Sequence, residues 1–188
     1  MTENQRIKID NLIDILPDCD KAIYHDIAKY AAELGYSPAK VNDKYKPVVF
    51  AKMIKGYGHR GICRISPPNP TSREVKTKFA MSFYAASEYQ DIFHEAVRIA
   101  CESRNNTWEA SDYSTVYSHE HENNNCDKRK ESCDKCRKCK NYYYSYPNGK
   151  IVGCDHINLI ELPPINEEHV DEIKRLMKIQ HECWTHHL

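Results

Sequence analysis

The sequence predicts an α+β fold: a small three-stranded antiparallel sheet with flanking helices, then a zinc-ribbon-like, cysteine-rich hairpin module and a C-terminal helix. Three observations lead there. Apolar residues recur at helical spacing on both sides of a β-branched stretch. An Asn-Gly pair stands between two short apolar runs, the strongest short-range hairpin signal. Four of the nine cysteines lie between positions 133 and 154. The boundaries that follow are an α+β domain over 1–103, a flexible linker or loop over 104–127, and a zinc-binding hairpin module with its C-terminal helix over 128–188.

The first helix of substance is expected over 19–34. Asp18 or Asp20 is placed to cap its start, and Gly35 stands where a C′ glycine belongs. Ile23, Ile27, Tyr30, Ala31 and Leu34 share one face. A shorter helical turn is expected around 10–16, stopped by Pro17. Three strands follow: Val48–Lys55, Ile62–Ile65 and Lys78–Tyr84. In the last, Phe79, Met81 and Phe83 alternate with Lys78, Ala80 and Ser82, the pattern of a half-buried strand. Ser87 and Gln90 read as a capping box that opens a helix whose stripe is Ile92, Phe93, Ala96, Val97, Ala100 and Cys101.

Residues 103–127 are rich in Asn, Ser, Glu and His and show no period, which reads as loop or linker. A hairpin is expected from Asn141–Tyr146, the Pro147-Asn148-Gly149-Lys150 turn and Ile151–Gly153, then a short strand over Leu159–Leu162. A last helix starts at Asn166 and buries Val170, Ile173, Leu176, Met177, Gln180 and Trp184. The pattern leaves open which part of the molecule that helix packs against.

Composition narrows the function classes. Basic and acidic residues balance at 27 each, which excludes a uniformly basic nucleic-acid binder. The charge is segregated, however. Residues 40–78 and 128–153 carry net charges of +8 and +6, and the three remaining blocks are net negative. No stretch approaches the roughly 18 apolar residues of a membrane span. The polar start lacks the apolar segment of a signal peptide, so a cytoplasmic protein is expected. In that compartment nine cysteines point to metal or free thiols rather than disulfides.

The metal constellation is Cys133-x2-Cys136-x2-Cys139, followed after fourteen residues by Cys154-x-His156. Cys-x2-Cys turns let two thiolates grip one ion, and the Asn148-Gly149 hairpin is expected to return Cys154 beside them. Structural Zn²⁺ takes four sulfur or nitrogen ligands in a tetrahedron. Cys133, Cys136, Cys139 and Cys154 supply one such set; Cys136, Cys139, Cys154 and His156 supply another, as in a zinc ribbon. In spacing, the run resembles the structural zinc lobe of alcohol dehydrogenases over about a dozen residues, which implies a closed, non-catalytic site. An iron–sulfur cluster is the competing reading, because Cys-x2-Cys-x2-Cys also opens a bacterial ferredoxin motif. Against it, no cysteine precedes a proline and the flanks are charged.

Gly56-x-Gly58-x-x-Gly61 matches the dinucleotide fingerprint by letters. The following residues read as strand rather than helix, so a glycine-rich hairpin loop that presents His59 and Arg60 is expected. No nucleophile elbow, P-loop or zinc-protease motif is present, so the sequence leans away from an enzyme. A nucleic-acid or other polyanion partner is suggested by two basic groups. Lys52, Lys55, His59, Arg60 and Arg64 form a phosphate-tracking patch if they share one sheet face. Arg137 and Lys138 run into Tyr143 and its neighbours, a mixture suited to stacking single-stranded bases. The alternatives are a protein–protein adaptor that docks a partner through the hairpin and last helix, and a small-molecule-binding or enzymatic α+β domain with a structural metal.

Overall fold

The computed structural model describes residues 1–39, 45–56, 58–71, 75–103, 142–147, 151–154 and 159–185; at 103, 143, 145 and 151–154 it describes the backbone. The chain forms two compact units, one of Met1–Ile92 with Asn158–Leu188 and the other of Phe93–Ile157.

The first unit starts with α1 (Glu3–Asp14), longer and earlier than the turn expected at 10–16. Its origin is a capping box: Thr2 Oγ1 accepts the Gln5 amide at 3.2 Å, and Gln5 Oε1 accepts the Thr2 amide at 2.7 Å. Ile9, Leu12 and Ile13 are its buried face. Helix α2 (Asp18–Glu33) begins directly after Pro17, which occupies the N-cap position. Neither aspartate caps it as expected. Asp18 pairs with Lys21 at 2.8 Å, and Asp20 accepts the Thr77 hydroxyl at 2.6 Å. Tyr24, Ile27, Ala28, Ala31 and Ala32 are buried, so the inward face is rotated from the expected stripe; Ile23, Tyr30 and Leu34 are half-buried at its edge.

The end of α2 is a Schellman motif. Gly35 has φ +88°, its amide donates to Ala32 O at 2.9 Å, and the Tyr36 amide donates to Ala31 O at 3.0 Å. The reversal turns Tyr36 into the interior, where it is fully buried.

The sheet has five strands, not the three expected. They are β1 (Ser37–Pro38), β2 (Val48–Ile54), β3 (Gly58–Ser66), β4 (Lys78–Met81) and, after the second unit, a late strand (Ile160–Glu161) called β7 below. The order is β1-β2-β3-β4-β7, with every pairing antiparallel. The two added strands are two residues each and lie at the edges; β7 falls within the short strand expected over Leu159–Leu162, whose place in this sheet the pattern does not indicate, and β1 is too short to show an alternating period. Short edge strands also limit unwanted pairing with other chains.

Gly56 (φ +80°) and Gly58 (φ +72°) make the β2–β3 hairpin turn, and β3 starts at Gly58 where a dinucleotide-binding helix would have to begin. The register slips between Phe50 and Ala51, so β3 holds one extra residue, and Ile62 and Cys63 are both buried. Gly61 is needed for close approach: a Cβ there would stand 3.0 Å from Val49 Cγ1.

The pairing Val48–Ile65, Phe50–Cys63, Ile65–Phe79 and Cys63–Met81 puts these six residues on one face. Helices α2 and the C-terminal helix cover it; the Tyr24 and Phe79 rings meet at 6.2 Å. β4 departs from the half-buried expectation. Ala80 and Ser82 are as buried as Phe79 and Met81, so both faces of this strand are covered.

The last helix, α4 (Val170–Thr185), follows a 3-10 turn at Glu167–His169, where His169 Nδ1 accepts the Asn166 amide at 3.0 Å. Its buried face is Val170, Ile173, Leu176, Met177, Gln180 and Trp184, as the periodicity predicts. It packs on α2, fixed by Lys174 to Asp26 at 2.6 Å and by the Lys174 ammonium 5.9 Å from the Tyr30 ring centre.

The second unit contains the body of α3 (Asp91–Ser103) and the hairpin β5 (Tyr142–Ser145) and β6 (Ile151–Cys154). The helix begins at Asp91, later than a Ser87 cap requires. Phe93, Ala96, Val97 and Cys101 are buried on its apolar face. Arg98 bridges Glu95 at 2.5 Å and Glu102 at 2.6 Å along the exposed side.

Candidate functional site

The hairpin positions the one metal candidate that falls on a described element. Tyr142 pairs with Cys154, Tyr143 with Gly153, Tyr144 with Val152 and Ser145 with Ile151. Cys154 is therefore at the open end of the hairpin, across from Tyr142. Cys133, Cys136, Cys139 and His156 lie outside the described residues, as do Arg137 and Lys138. Among the described residues no group of three or more His, Cys, Asp or Glu side chains is placed to hold a metal ion.

The same end of the hairpin is anchored on α3. Cys101 Sγ donates to Tyr142 O at 3.8 Å, and both residues are buried. The Tyr146 hydroxyl donates to Glu102, and the Tyr144 and Tyr146 rings meet edge-on at 4.8 Å. The Tyr146 hydroxyl, and after it the Arg98 guanidinium, hold the Glu102 carboxyl below the usual carboxylate range.

The basic residues of β2 and β3 do not share one face. Lys52 pairs with Arg60 and alternates with Phe50, which places both cations on the helix-covered side. Lys52 Nζ donates to Leu34 O at 3.2 Å and sits 5.7 Å from the Tyr36 ring centre. Gly35 leaves room for that seat, since a Cβ there would stand 3.1 Å from Lys52 Nζ and the lysine end would have to shift. Arg64 lies on the opposite face with Lys78, and both reach Glu161 of β7, at 3.7 Å and 3.1 Å. Lys55 and His59 are exposed at the hairpin tip. Tyr143 is in β5, in the other unit.

A polar cluster that sequence reasoning missed lies between the sheet and the end of α4. The Tyr36 hydroxyl and His181 Nδ1 are hydrogen-bonded at 3.2 Å, with the rings edge-on at 5.6 Å. Trp184 Nε1 donates to the Tyr84 hydroxyl at 2.5 Å. Gln180 Oε1 accepts the Ala85 amide at 3.1 Å, while its Nε2 is buried with no acceptor among the described residues. Burial pushes the Tyr36 phenol well above its ordinary value and does the same to the Cys63 thiol, so both stay protonated and Cys63 is no nucleophile. The available signal was the Gly35-Tyr36 pair, because the residue after a C′ glycine is turned inward. In α4, Gln180 and Trp184 already belonged to the expected stripe; only His181 lies off it.

Comparison of the chain with protein-family models, with curated proteins and with solved structures finds no match. Among the described residues no helix is long and apolar enough to cross a membrane.

Proposed function

We propose that this is a zinc-binding, non-enzymatic protein. In this reading Cys133, Cys136, Cys139 and Cys154 hold a structural zinc ion that closes the hairpin unit, and the basic β2–β3 hairpin meets nucleic acid or another polyanion. The observation that carries the metal half is the β5–β6 register. It brings Cys154 to the end of the hairpin where the Cys-x2-Cys-x2-Cys segment enters. The donor set is soft and tetrahedral in number, which suits zinc. The described part of this unit is the body of α3 and a two-stranded hairpin packed on it, a small core that an additional tie would strengthen. A metal ion supplies such a tie, since zinc binding free energy becomes folding free energy in small modules.

The polyanion half rests on Lys55, His59 and Arg60 at and beside the hairpin tip. Its scale is smaller than a whole-sheet patch, because Arg64 and Lys78 are taken up by Glu161.

Elemental analysis of purified protein tests the metal half. One zinc per chain in a colourless solution is expected, with loss of the metal in Cys136→Ser and Cys154→Ser. Iron and a brown colour would replace zinc by a redox cluster. Retention of zinc in both variants would remove the proposed ligand set. For the polyanion half, binding of a single-stranded oligonucleotide is expected to fall steeply as salt rises; absence of binding at low ionic strength would refute it.

A further inference from the structure

We propose that the tip of the β2–β3 hairpin is a base-stacking platform, Met53 beside His59, that takes one nucleotide of a single-stranded nucleic acid while Lys55 meets its phosphate. The inference deepens the polyanion half of the proposed function and rests on it. It adds a requirement for the bases themselves, where that reading needs only negative charge.

Met53 and His59 are direct cross-strand partners. Lys52, the neighbour of Met53 on β2, turns to Leu34 O and the Tyr36 ring, so by alternation Met53 and His59 stand on the other face of the hairpin. Side chains so paired are about 5 Å apart at Cβ and share one surface. Both are exposed, Met53 by 67%. The next pair on that face, Ala51 with Gly61, carries no long side chain to stand over them. A Cβ at Gly58, where β3 leaves the turn, would meet open space. A flat ring can therefore lie across the imidazole and the thioether. Every base offers a π-face, so stacking on a side-chain ring tolerates any sequence. The thioether adapts its shape and favours aromatic contact.

Charge points to the same partner. From Val48 to Ser66 the hairpin carries Lys52, Lys55, Arg60 and Arg64 and no Asp or Glu. Lys55 is exposed in the turn, two residues on from Met53, and supplies a cation for the backbone of the stacked nucleotide. An anionic membrane also takes cations beside an exposed apolar residue. Seating in a membrane scales with the apolar area buried there, and Ile54, the apolar neighbour of Met53, is already buried in the protein. One thioether beside one imidazole matches a base rather than a bilayer.

The test titrates the full-length protein with a fluorescent oligothymidylate and with an abasic oligomer of equal length, which keeps the phosphates and lacks the bases. The oligothymidylate is expected to bind about tenfold or more tightly. His59→Ala is expected to weaken it about fivefold or more, and Met53→Ser to weaken it less, with the abasic oligomer unaffected by either. His59→Phe keeps a stacking ring and is expected to retain binding. Lys55→Gln is expected to weaken both oligomers alike and to reduce the salt slope by about one. Equal binding of the two oligomers overturns the platform and leaves the polyanion reading standing. So does oligothymidylate binding that His59→Ala and Met53→Ser leave unchanged. Absence of binding by either oligomer at low ionic strength overturns both. Binding to phosphatidylserine vesicles that Met53→Ser abolishes, without preference for the base-bearing oligomer, overturns the platform and assigns the tip to a membrane surface.

Discussion

Replacing Gly35 by alanine tests how the end of α2 and the seat of Lys52 depend on each other. Gly35 has φ +88°, a left-handed conformation that costs an L-residue about 1–2 kcal/mol. Its new Cβ would also stand 3.1 Å from Lys52 Nζ, a tight contact. The lysine end is flexible and has to shift by a few tenths of an ångström, which is expected to weaken its 3.2 Å bond to Leu34 O. A half-exposed charged hydrogen bond of this kind contributes about 1 kcal/mol. The total is about 2–3 kcal/mol, or roughly 5–10 °C in Tm for a chain of this size. Urea denaturation of Gly35→Ala, Lys52→Met and the double variant closes the cycle. In the Lys52→Met background Gly35→Ala is expected to cost only its backbone part, about 1–2 kcal/mol, a coupling of about 1 kcal/mol. Equal costs in both backgrounds would refute the shared seat. A cost below about 0.5 kcal/mol in either would refute the left-handed cap itself.

Three further outcomes follow from the packing of the first unit. Trp184→Ala is expected to lose about 3–5 kcal/mol by large-to-small truncation in the core, and Trp184→Phe about 1–2 kcal/mol, because the Tyr84 hydroxyl loses its donor; thermal melts separate the two. Tyr24 and Tyr36 have phenol pKa values raised by burial, so the folded state keeps protons that the unfolded chain releases. Their contribution is fully present below the ordinary phenol value of about 10 and declines above it, by up to about 1.4 kcal/mol per pH unit for each. Urea midpoints measured from pH 9 to 11.5 are expected to fall, and less steeply in Tyr36→Phe; identical slopes would contradict the burial argument. Glu161→Gln removes the partner of Arg64 and Lys78 at an edge strand, yet half-exposed ion pairs contribute little, so a loss under about 1 kcal/mol is expected by chemical denaturation.

The parts legible in the sequence were those with a long period or a specific turn. The α4 stripe came out residue by residue, because its six inward positions repeat over four turns. The β5–β6 hairpin was announced by Asn148-Gly149, although the register leaves residues 146–150 between the last paired positions. Strand β1 gave no signal, since two residues carry no period, and the expected strand over Leu159–Leu162 gave no sign of its pairing with β4, which is set by tertiary structure. The Thr2-x-x-Gln5 capping box was legible and went unread, which displaced α1. The basic residues are divided between faces for a physical reason: Arg60 and Arg64, four apart on β3, would share a face by alternation alone, and the extra residue of the bulge puts them on opposite sides. The Tyr36–His181 contact joins residues 145 apart, beyond any local pattern. The proposed metal ligands rest on cysteine type and spacing in the sequence; of them, Cys154 falls on a described element, paired with Tyr142.

The most direct measurement is hydrogen exchange at the backbone amides of Tyr142–Ser145 and Ile151–Cys154, with and without a zinc chelator. The account predicts that chelation strips protection from this hairpin while amides of β2, β3 and β4 in the five-stranded sheet keep theirs. Unchanged protection of the hairpin in protein shown to have lost its metal would contradict a structural zinc site.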